Sequence, residues 1–303
     1  MGNRIGAGGV NRRELIGMAA ATAIGGLVPA AASAARSKPA VRVLDFRARP
    51  NTHEYLALFA GDGGGMPKPE PLAGFIAALD SAGVDQAVFP GRQSTIMIEG
   101  RRAEVTLSND YVAGCIKAYP DRLIGLVGVD PAKRLAALRE IDRGIALLGM
   151  KGVSIDLPGV QADDRMMYPI YYKCMELGVP VVITQGPRMG NLSNPRAIST
   201  IAEDMPDLKI VCSHAIYPQV DEWIALAFRG RNIFIEASMY HFMPGAEAIF
   251  AAANGPLQDK IIYGSAFPFA PLADVALFKA RMRDAKALDK VLYRNAAGVL
   301  GIV

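Results

Sequence analysis

Three charged residues alternate at the end of the first apolar run of the chain: Asp45, Arg47 and Arg49. Side chains two residues apart in an extended strand point to the same face, so all three are predicted to face one side. Arginine matches a carboxylate with two parallel hydrogen bonds and never loses its charge in a protein. The spacing therefore predicts a fixed positive site for an anionic group.

A structural interpretation of Arg47 and Arg49 is the alternative. Two buried cations are costly unless anionic groups offset their charge. Asp45, Asp156 after the fourth apolar run, and Glu236 after the seventh are the candidate partners. A network of ion pairs would tie neighbouring strands together, whereas a substrate carboxylate would offset the charge from outside. Both functions are compatible with each other.

His214 ends the sixth apolar run and is the best candidate for acid–base chemistry. The ordinary pKa of histidine lies near neutrality, and nearby arginines would lower it and keep the ring a neutral base. Asp156 or Glu236 is expected to orient the ring or share its proton, which completes the predicted catalytic set. Cys212 lies two residues earlier on the same strand face. A buried core cysteine is favoured there over a cysteine–histidine nucleophile pair.

Further polar residues lie at the ends of other apolar runs or directly after them. Arg92, Thr184 and His241 join Arg47 and Arg49 as the predicted substrate-binding set. His241 and His53 are equally well explained as ordinary loop residues. A metal site built from His53, His214, His241 and a carboxylate would lack any ligand spacing. No metal site and no cofactor are therefore predicted.

These residues need a scaffold that brings strand ends together. Strand-like runs alternate with helical patterns and short connections, which is typical of repeated βα units. The predicted strands are residues 41–46, 86–90, 123–129, 153–157, 179–184, 209–213, 232–237 and 260–263. Eight such units predict an α/β fold of the (β/α)8 TIM-barrel type, with an open doubly wound sheet as the alternative. In a barrel the carboxyl ends of all eight strands meet at one mouth, where active sites form.

The N-terminal segment is predicted to lie outside this barrel. Arg12-Arg13 precedes a short apolar run over 16–28 and the Ala32-Ser33-Ala34 sequence. A charged start, a short apolar stretch and small residues at a cleavage point indicate a secretory signal, here of the twin-arginine type. We expect residues 1–34 to be removed, a barrel over 35–303, and a periplasmic or secreted protein. A buried or disordered N-terminal helix is the alternative.

The charge and the cysteine content limit the classes of binding partner that the sequence favours. The 303 residues carry a formal charge of +4, and three basic residues and one acidic residue fall within 1–34, which leaves +2 for the remainder. No basic run is interleaved with aromatic residues, so neither nucleic acid nor a membrane surface is an expected partner. The three cysteines have no metal-type spacing. The expected partner is a small anionic organic substrate, and a homo-oligomer is compatible with the sequence.

Short motifs in a fixed order carry a resemblance to a known family. They are Gly83-Val84-Asp85, Tyr119-Pro120-Asp121-Arg122-Leu123-Ile124-Gly125, Lys151-Gly152-Val153, Met205-Pro206-Asp207-Leu208-Lys209-Ile210-Val211, Gly264-Ser265-x-Phe267-Pro268 and Asn295-Ala296-Ala297. Over essentially all of 35–303 the chain resembles the amidohydrolase-related family that includes aminocarboxymuconate-semialdehyde decarboxylase-like enzymes. The resemblance implies a TIM barrel of the metal-dependent hydrolase type.

The metal ligands of that family do not carry over. Its D-x-H-x-H pattern places two metal-binding histidines where this chain has Arg47 and Arg49. A third histidine is expected at Thr184, and a metal-binding aspartate at Ala266. His214 alone matches, at the position of the histidine that activates water or binds the substrate. The resemblance therefore implies a divergent member that lacks the metal ligands, since guanidinium groups repel a divalent cation.

Together these features predict a metal-independent hydrolase acting on a small carboxylated substrate, aromatic or lactone-like. His214 would be the general base, and Arg47 and Arg49 would clamp the anion. A carbon–carbon lyase or decarboxylase is the alternative that the family suggests. A non-catalytic periplasmic barrel that binds an anionic ligand is the alternative from another functional class.

Overall fold

The computed structural model of the chain describes residues 41–52, 70–98 and 101–302. The proposed signal segment 1–34 and His53 lie outside the described residues. Within the described ranges, no helix combines the length and the apolar character that a membrane crossing requires.

Eight parallel strands form the central sheet, and an antiparallel hairpin follows the second of them. In chain order the strands are β1 Leu44–Asp45, β2 Gln86–Pro90, β3 Arg92–Ile98, β4 Arg101–Leu107, β5 Leu123–Gly128, β6 Val153–Ile155, β7 Val181–Thr184, β8 Ile210–Ser213, β9 Ile233–Glu236 and β10 Ile261–Ile262. The central sheet has the order β1-β2-β5-β6-β7-β8-β9-β10. Its register sets Thr184 beside Ser213 and Ser213 beside Glu236, so polar strand ends are neighbours.

The first and last strands meet and close the sheet. The backbone N–H of Phe46 donates to the carbonyl of Tyr263 at 3.0 Å, and that of Ala266 donates to the carbonyl of Arg47 at 2.8 Å. A parallel bridge joins Ala48 to Phe267. This closure confirms the predicted (β/α)8 TIM barrel over the open-sheet alternative.

Helices follow the strands, and most of them pack on the outside of the barrel. They are α1 Leu72–Ala82, α2 Asn109–Ala118, α3 Leu135–Ala146, α4 Tyr168–Glu176, α5 Pro195–Asp204, α6 Val220–Arg229, α7 Glu247–Ala253, α8 Val275–Arg281, α9 Ala285–Asp289 and α10 Asn295–Leu300. The Ser108 side chain accepts a hydrogen bond from the N–H of Tyr111 and so caps α2. The helix α8 ends at Arg281, and Asp284 caps the next helix, α9.

Alternate residues of the strands fall into two separate apolar clusters. Val88, Leu126 and Val182 belong to a smaller cluster together with residues of α10, whereas their strand neighbours pack against the outer helices. Lys209, which precedes β8, bonds the carbonyl of Gly298 in α10, so this helix covers the amino ends of the strands. The carboxyl ends are left to form the site.

The β3–β4 hairpin is an element that the sequence analysis missed. Its strands pair from Arg92 opposite Leu107 to Ile98 opposite Arg101. Both segments are rich in β-branched residues and flank a glycine, which is a hairpin signal. The hairpin matters because its first residues reach the mouth of the barrel.

Candidate active site

Arg47 crosses the mouth from the end of β1 to the end of β7. Its Nη2 donates a hydrogen bond to Oγ1 of Thr184 at 3.2 Å, and both residues are buried. Nη1 is also buried, and no described residue forms a hydrogen bond with it. The structure thus brings Arg47 and Thr184 together, and Nη1 of Arg47 keeps a hydrogen-bonding capacity that no described residue uses.

Asp45 has a different function from the ion-pair partner considered in the sequence analysis. β1 ends at this residue and the chain bends at Phe46 and Arg47, so the simple alternation along a strand does not continue. Its Oδ1 accepts the backbone N–H groups of Arg47 at 3.0 Å and Ser265 at 2.9 Å. Burial raises the pKa of Asp45 to about 6 despite these bonds, and the nearby Glu236 adds to the shift. Asp45 fixes the backbone that presents the arginines.

Asp156 lies on the arginine side of the mouth. It forms an ion pair with Nε of Arg92, and Oγ of Ser94 donates to its Oδ2 at 3.3 Å. Burial alone would raise the pKa of Asp156, but the charges of Arg92, Arg47 and Arg49 outweigh it and hold the pKa below its ordinary value. Asp156 therefore remains a carboxylate at neutral pH, which does not favour its predicted sharing of a proton with His214.

His214 hydrogen-bonds a buried serine and lies close to Glu236. Oγ of Ser238 lies 2.6 Å from Nδ1 of His214. Nδ1 is 4.0 Å from Oε2 of Glu236, which is too long for a direct hydrogen bond. Ser213 donates to Oε2 at 2.5 Å from the neighbouring strand. The structure thus brings the predicted residues His214 and Glu236 together.

The surroundings of His214 keep its ring neutral. Burial lowers the pKa of His214 well below its ordinary value, and the charges of Arg47 and Arg49 lower it further. Burial raises the pKa of Glu236, while the Arg47 charge and the two serines oppose that shift. The arrangement is a neutral imidazole beside fixed positive charge, which suits a general base.

The backbone around His214 is held in uncommon conformations. His214 has φ 63°, and Met239, after Ser238, has φ 68° and ψ −65°. Tyr240 packs edge-on against the imidazole, with ring centroids 6.1 Å apart. Gly186 packs against both His214 and Tyr240 and has φ 87°. A Cβ at this position would lie 3.0 Å from the Tyr240 ring and 3.1 Å from the His214 carbonyl oxygen. Left-handed φ values outside glycine cluster at functional sites.

Two other predicted residues are engaged elsewhere. Nε2 of His241 pairs with Oδ2 of Asp274 at 3.1 Å, and the ring packs edge-on against Phe278. No described contact joins His241 to Arg47 or His214, so its binding function stays a prediction. Arg92 is held by Asp156, which accounts for its charge without a substrate. Burial raises the pKa of the Cys212 thiol, in agreement with a core cysteine.

The sequence analysis missed four polar residues of the mouth. They are Ser94, Gln185, Ser213 and Ser238, all of them buried. Nε2 of Gln185 is a buried donor that no described residue bonds. Gln185 follows Thr184 directly, so its position at a strand end was the available signal. The serines could not be found this way because their partners come from other strands.

Comparisons with known proteins decide the family. The amidohydrolase family model matches residues 77–302, which is more than half of the chain. The chain belongs to the amidohydrolase family. A 2-amino-3-carboxymuconate-6-semialdehyde decarboxylase from Dictyostelium discoideum is 32% identical over 77 residues, which cover 25% of this chain and 21% of that protein. The alignment therefore spans about a fifth of the length of that relative.

Solved structures resemble this amidohydrolase over most of its length. An uncharacterised TIM-barrel protein from Bordetella bronchiseptica is 28% identical with a TM-score of 0.73, over 86% of this chain and 99% of that one. A probable 2-pyrone-4,6-dicarboxylic acid hydrolase from Acinetobacter baumannii is 16% identical with a TM-score of 0.62, over 86% and 99%. The second likeness supports the fold alone.

The mouth of this amidohydrolase does not fit the divalent metal of the family. By the family pattern described in the sequence analysis, the residues at the ligand positions are Arg47, Arg49, Thr184 and Ala266. Two of these are permanent cations, and the side chain of Ala266 is a methyl group. Arg47 instead donates a hydrogen bond to Thr184. Among the described residues, no group of three or more His, Cys, Asp and Glu side chains is arranged to hold a metal ion. The donor chemistry points to an anion, not a cation.

Proposed function

We propose that this amidohydrolase hydrolyses an ester or lactone bond in a small carboxylated substrate without a bound metal. The observation that carries the proposal is the buried Nη1 of Arg47, which no described residue bonds, beside a neutral His214. A fixed cation with an available donor and a base in the same mouth are the two groups that such a hydrolysis needs.

The arginines supply the electrostatic part of the proposed reaction. Thr184 holds Nη2 of Arg47, so the guanidinium plane is fixed before any ligand arrives. Arg49 is buried beside it and its charge acts on the same groups. A substrate carboxylate or a developing oxyanion would accept hydrogen bonds from this clamp. Gln185 offers one more buried donor.

His214 supplies the proton transfer. Its imidazole would take a proton from water while the water oxygen attacks the carbonyl carbon and the carbonyl electron pair moves onto oxygen. When that pair returns, the carbon–oxygen bond to the leaving group breaks, and the leaving oxygen takes the proton from His214. The lowered pKa keeps the ring in its basic form at neutral pH.

Decarboxylation is the second candidate reaction, and the relative from Dictyostelium discoideum supports it. It would require an acid that delivers a proton to carbon after carbon dioxide leaves. The protonated form of His214 is scarce because its pKa is lowered. An arginine bound to the departing carboxylate would also stabilise the ground state more than the transition state. For these two reasons we rank hydrolysis first.

A non-catalytic barrel that binds an anionic ligand is the candidate from another class. The neutral replacements Thr184 and Ala266 agree with a retired enzyme. Retention of a buried histidine 4.0 Å from a buried carboxylate supports catalysis instead. For either function we propose an exported protein whose partner is a small anion, with no nucleic acid or membrane partner.

The test is a screen of the chelator-treated protein against carboxylated esters, lactones and aromatic carboxylates. We expect hydrolysis that Arg47→Ala or His214→Ala lowers by about 100-fold or more. Arg229→Ala, an exposed arginine at the end of α6, is the matched control and should leave the rate unchanged. Carbon dioxide release would reassign the reaction to decarboxylation. Saturable anion binding without any product would reassign the protein to the binding class.

A further inference from the structure

A strained turn joins Ser238 to Tyr240, two residues that contact the candidate base. The N–H of Tyr240 donates to the carbonyl of Ser238 at 2.9 Å around Met239, which has φ 68° and ψ −65°. These angles define the uncommon γ-turn with positive φ, in which the backbone is strained. Oγ of Ser238 lies 2.6 Å from Nδ1 of His214, and the ring of Tyr240 packs edge-on against the imidazole. The turn therefore sets the position of two groups around His214.

The chain is fixed in different ways on the two sides of this turn. On the amino side, β9 is paired with β8 and β10, and the N–H of Ala237 donates to the carbonyl of Ile262 at 2.9 Å. On the carboxyl side, the backbone hydrogen bonds that the described structure shows for residues 240–246 stay within the loop, such as the bond from Met243 to the carbonyl of Tyr240. Strained backbone persists where its surroundings determine it, so side chains must fix this second side.

His241 connects this loop to another element. Its Nε2 lies 3.1 Å from Oδ2 of Asp274, the last residue before α8. The imidazole also packs edge-on against Phe278 of α8, with ring centroids 5.9 Å apart. Asp274 and Phe278 are four residues apart, so they lie one helical turn from each other on one face of this helix. Phe278 belongs to the larger apolar cluster, and both contacts of His241 are thus made on the helix side of the barrel wall.

We propose that His241 is a positioning residue whose hydrogen bond to Asp274 holds the turn that presents Ser238 and Tyr240 to His214. It acts through the turn and does not touch the substrate, unlike the substrate-binding function expected from the sequence. Without the bond, the strain in the turn is released and its two groups move relative to the imidazole. This inference rests on the proposed hydrolysis for its purpose, but not for its geometry.

Two variants separate the hydrogen bond of His241 from its ring packing. His241→Phe keeps an aromatic ring against Phe278 and removes the nitrogen that contacts Asp274. His241→Gln carries an amide nitrogen that can donate to Asp274 and lacks the ring. Asp274→Asn keeps an acceptor oxygen at the same place. The matched control is Asp259→Ala, which breaks an ion pair with Lys290 at the amino end of β10, away from the mouth.

The direct measurement is NMR of the His214 ring in protein labelled with 15N-histidine, which needs no substrate. The chain has three histidines, so the His214 signals can be assigned from their loss in His214→Gln. We expect His241→Phe to shift or broaden these signals, and His241→Gln, Asp274→Asn and Asp259→Ala to leave them close to wild type. Unchanged His214 signals in folded His241→Phe would overturn the inference, because a contact that only adds stability would lower the unfolding temperature alone. If His241→Phe does not fold, Asp274→Ala removes the same bond and leaves the ring in place.

Activity separates positioning from substrate binding. His241→Phe should lower kcat by about 10-fold or more with little change in KM, since a displaced base slows the reaction without loosening the substrate. His241→Gln should recover most of this loss. A raised KM with kcat unchanged would overturn the inference in favour of substrate binding, and equal losses in His241→Gln and His241→Phe would overturn it in favour of ring packing. The expected NMR changes without turnover of any substrate would support the inference and refute the hydrolysis alone.

Discussion

At the scale of single residues, we propose that the site uses fixed side-chain charge in place of a metal cation. The resemblance described above implies that Arg47 and Thr184 stand at positions of two metal-binding histidines, and Thr184 accepts a hydrogen bond from the Arg47 guanidinium group. A guanidinium plane is directional and never titrates in the physiological range, so it offers an anion a prepared geometry. His214 beside it is neutral because burial and the arginine charges act in the same direction.

The neutral His214 predicts how folding stability responds to acid. The pKa of His214 is well below 6.5 in the folded state and returns to about that value when the chain unfolds. The unfolded state therefore binds more protons below about pH 6.5, and stability falls as the pH is lowered through that range. Denaturant unfolding of wild type and His214→Gln from pH 7.5 to 5 should show a smaller loss in the variant. Equal losses in both would contradict the lowered pKa.

Asp45 changes the pH dependence of folding stability in the opposite direction to His214. The effect of His214→Gln must therefore be measured in protein that keeps Asp45. Its pKa is raised to about 6, and the folded state then binds the extra proton between about pH 6 and its ordinary value of 3.8. That contribution increases stability as the pH falls through this window. Asp45→Asn should remove it and make the acid loss of stability steeper. A shallower acid loss in Asp45→Asn would contradict this assignment.

At the scale of elements, the β3–β4 hairpin anchors one side of the mouth. Arg92 and Ser94 begin the hairpin, and both contact Asp156 at the end of β6. Removing one member of a largely buried ion pair leaves the other charge without its partner, and this costs more than removing both.

A double-mutant cycle tests the anchoring. Arg92→Ala alone should lower the free energy of unfolding by about 2–3 kcal/mol, less than for a fully buried pair because Arg92 is partly exposed. Arg92→Ala with Asp156→Ala should cost clearly less than the sum of the single changes. Arg143→Ala with Asp110→Ala, an exposed pair on the outer helices, should be close to additive. Additive losses for Arg92 and Asp156 would show that their contact is energetically neutral.

The elements themselves were largely predictable from the sequence, and the site only in part. Eight apolar runs separated by helical patterns are local signals, and they could be found without knowledge of the tertiary structure. The hairpin was missed because its segments carry little apolar periodicity next to a strong strand. Ser213 and Ser238 were missed for another reason: their function depends on the register of β8 with β9, which no local pattern contains.

At the scale of the whole molecule, the barrel explains why residues from distant parts of the chain share one site. Closure between the ends of β1 and β10 places Arg47 next to the turn that contains Ser265 and Ala266. The sheet order then places β7, β8 and β9 side by side. The candidate base His214, the carboxylate Glu236, Arg47 and Thr184 therefore come from the carboxyl ends of four different strands, β8, β9, β1 and β7.

Export is the prediction that concerns the full chain. If residues 1–34 are a twin-arginine signal, Arg12→Lys with Arg13→Lys should abolish export while leaving the protein folded in the cytoplasm. Cell fractionation measures the distribution, and N-terminal sequencing of the exported form should begin at Ala35. Unchanged export of the double variant would rule out this route.

The most direct test of the exchange of a metal for guanidinium charge is elemental analysis of protein purified without added metal ions. Arg47 and Arg49 at the ligand positions predict well below one equivalent of any transition metal per chain, with hydrolysis of the substrate unaffected by chelator. One tightly held equivalent of zinc, manganese or iron, lost together with activity on chelation, would contradict the account.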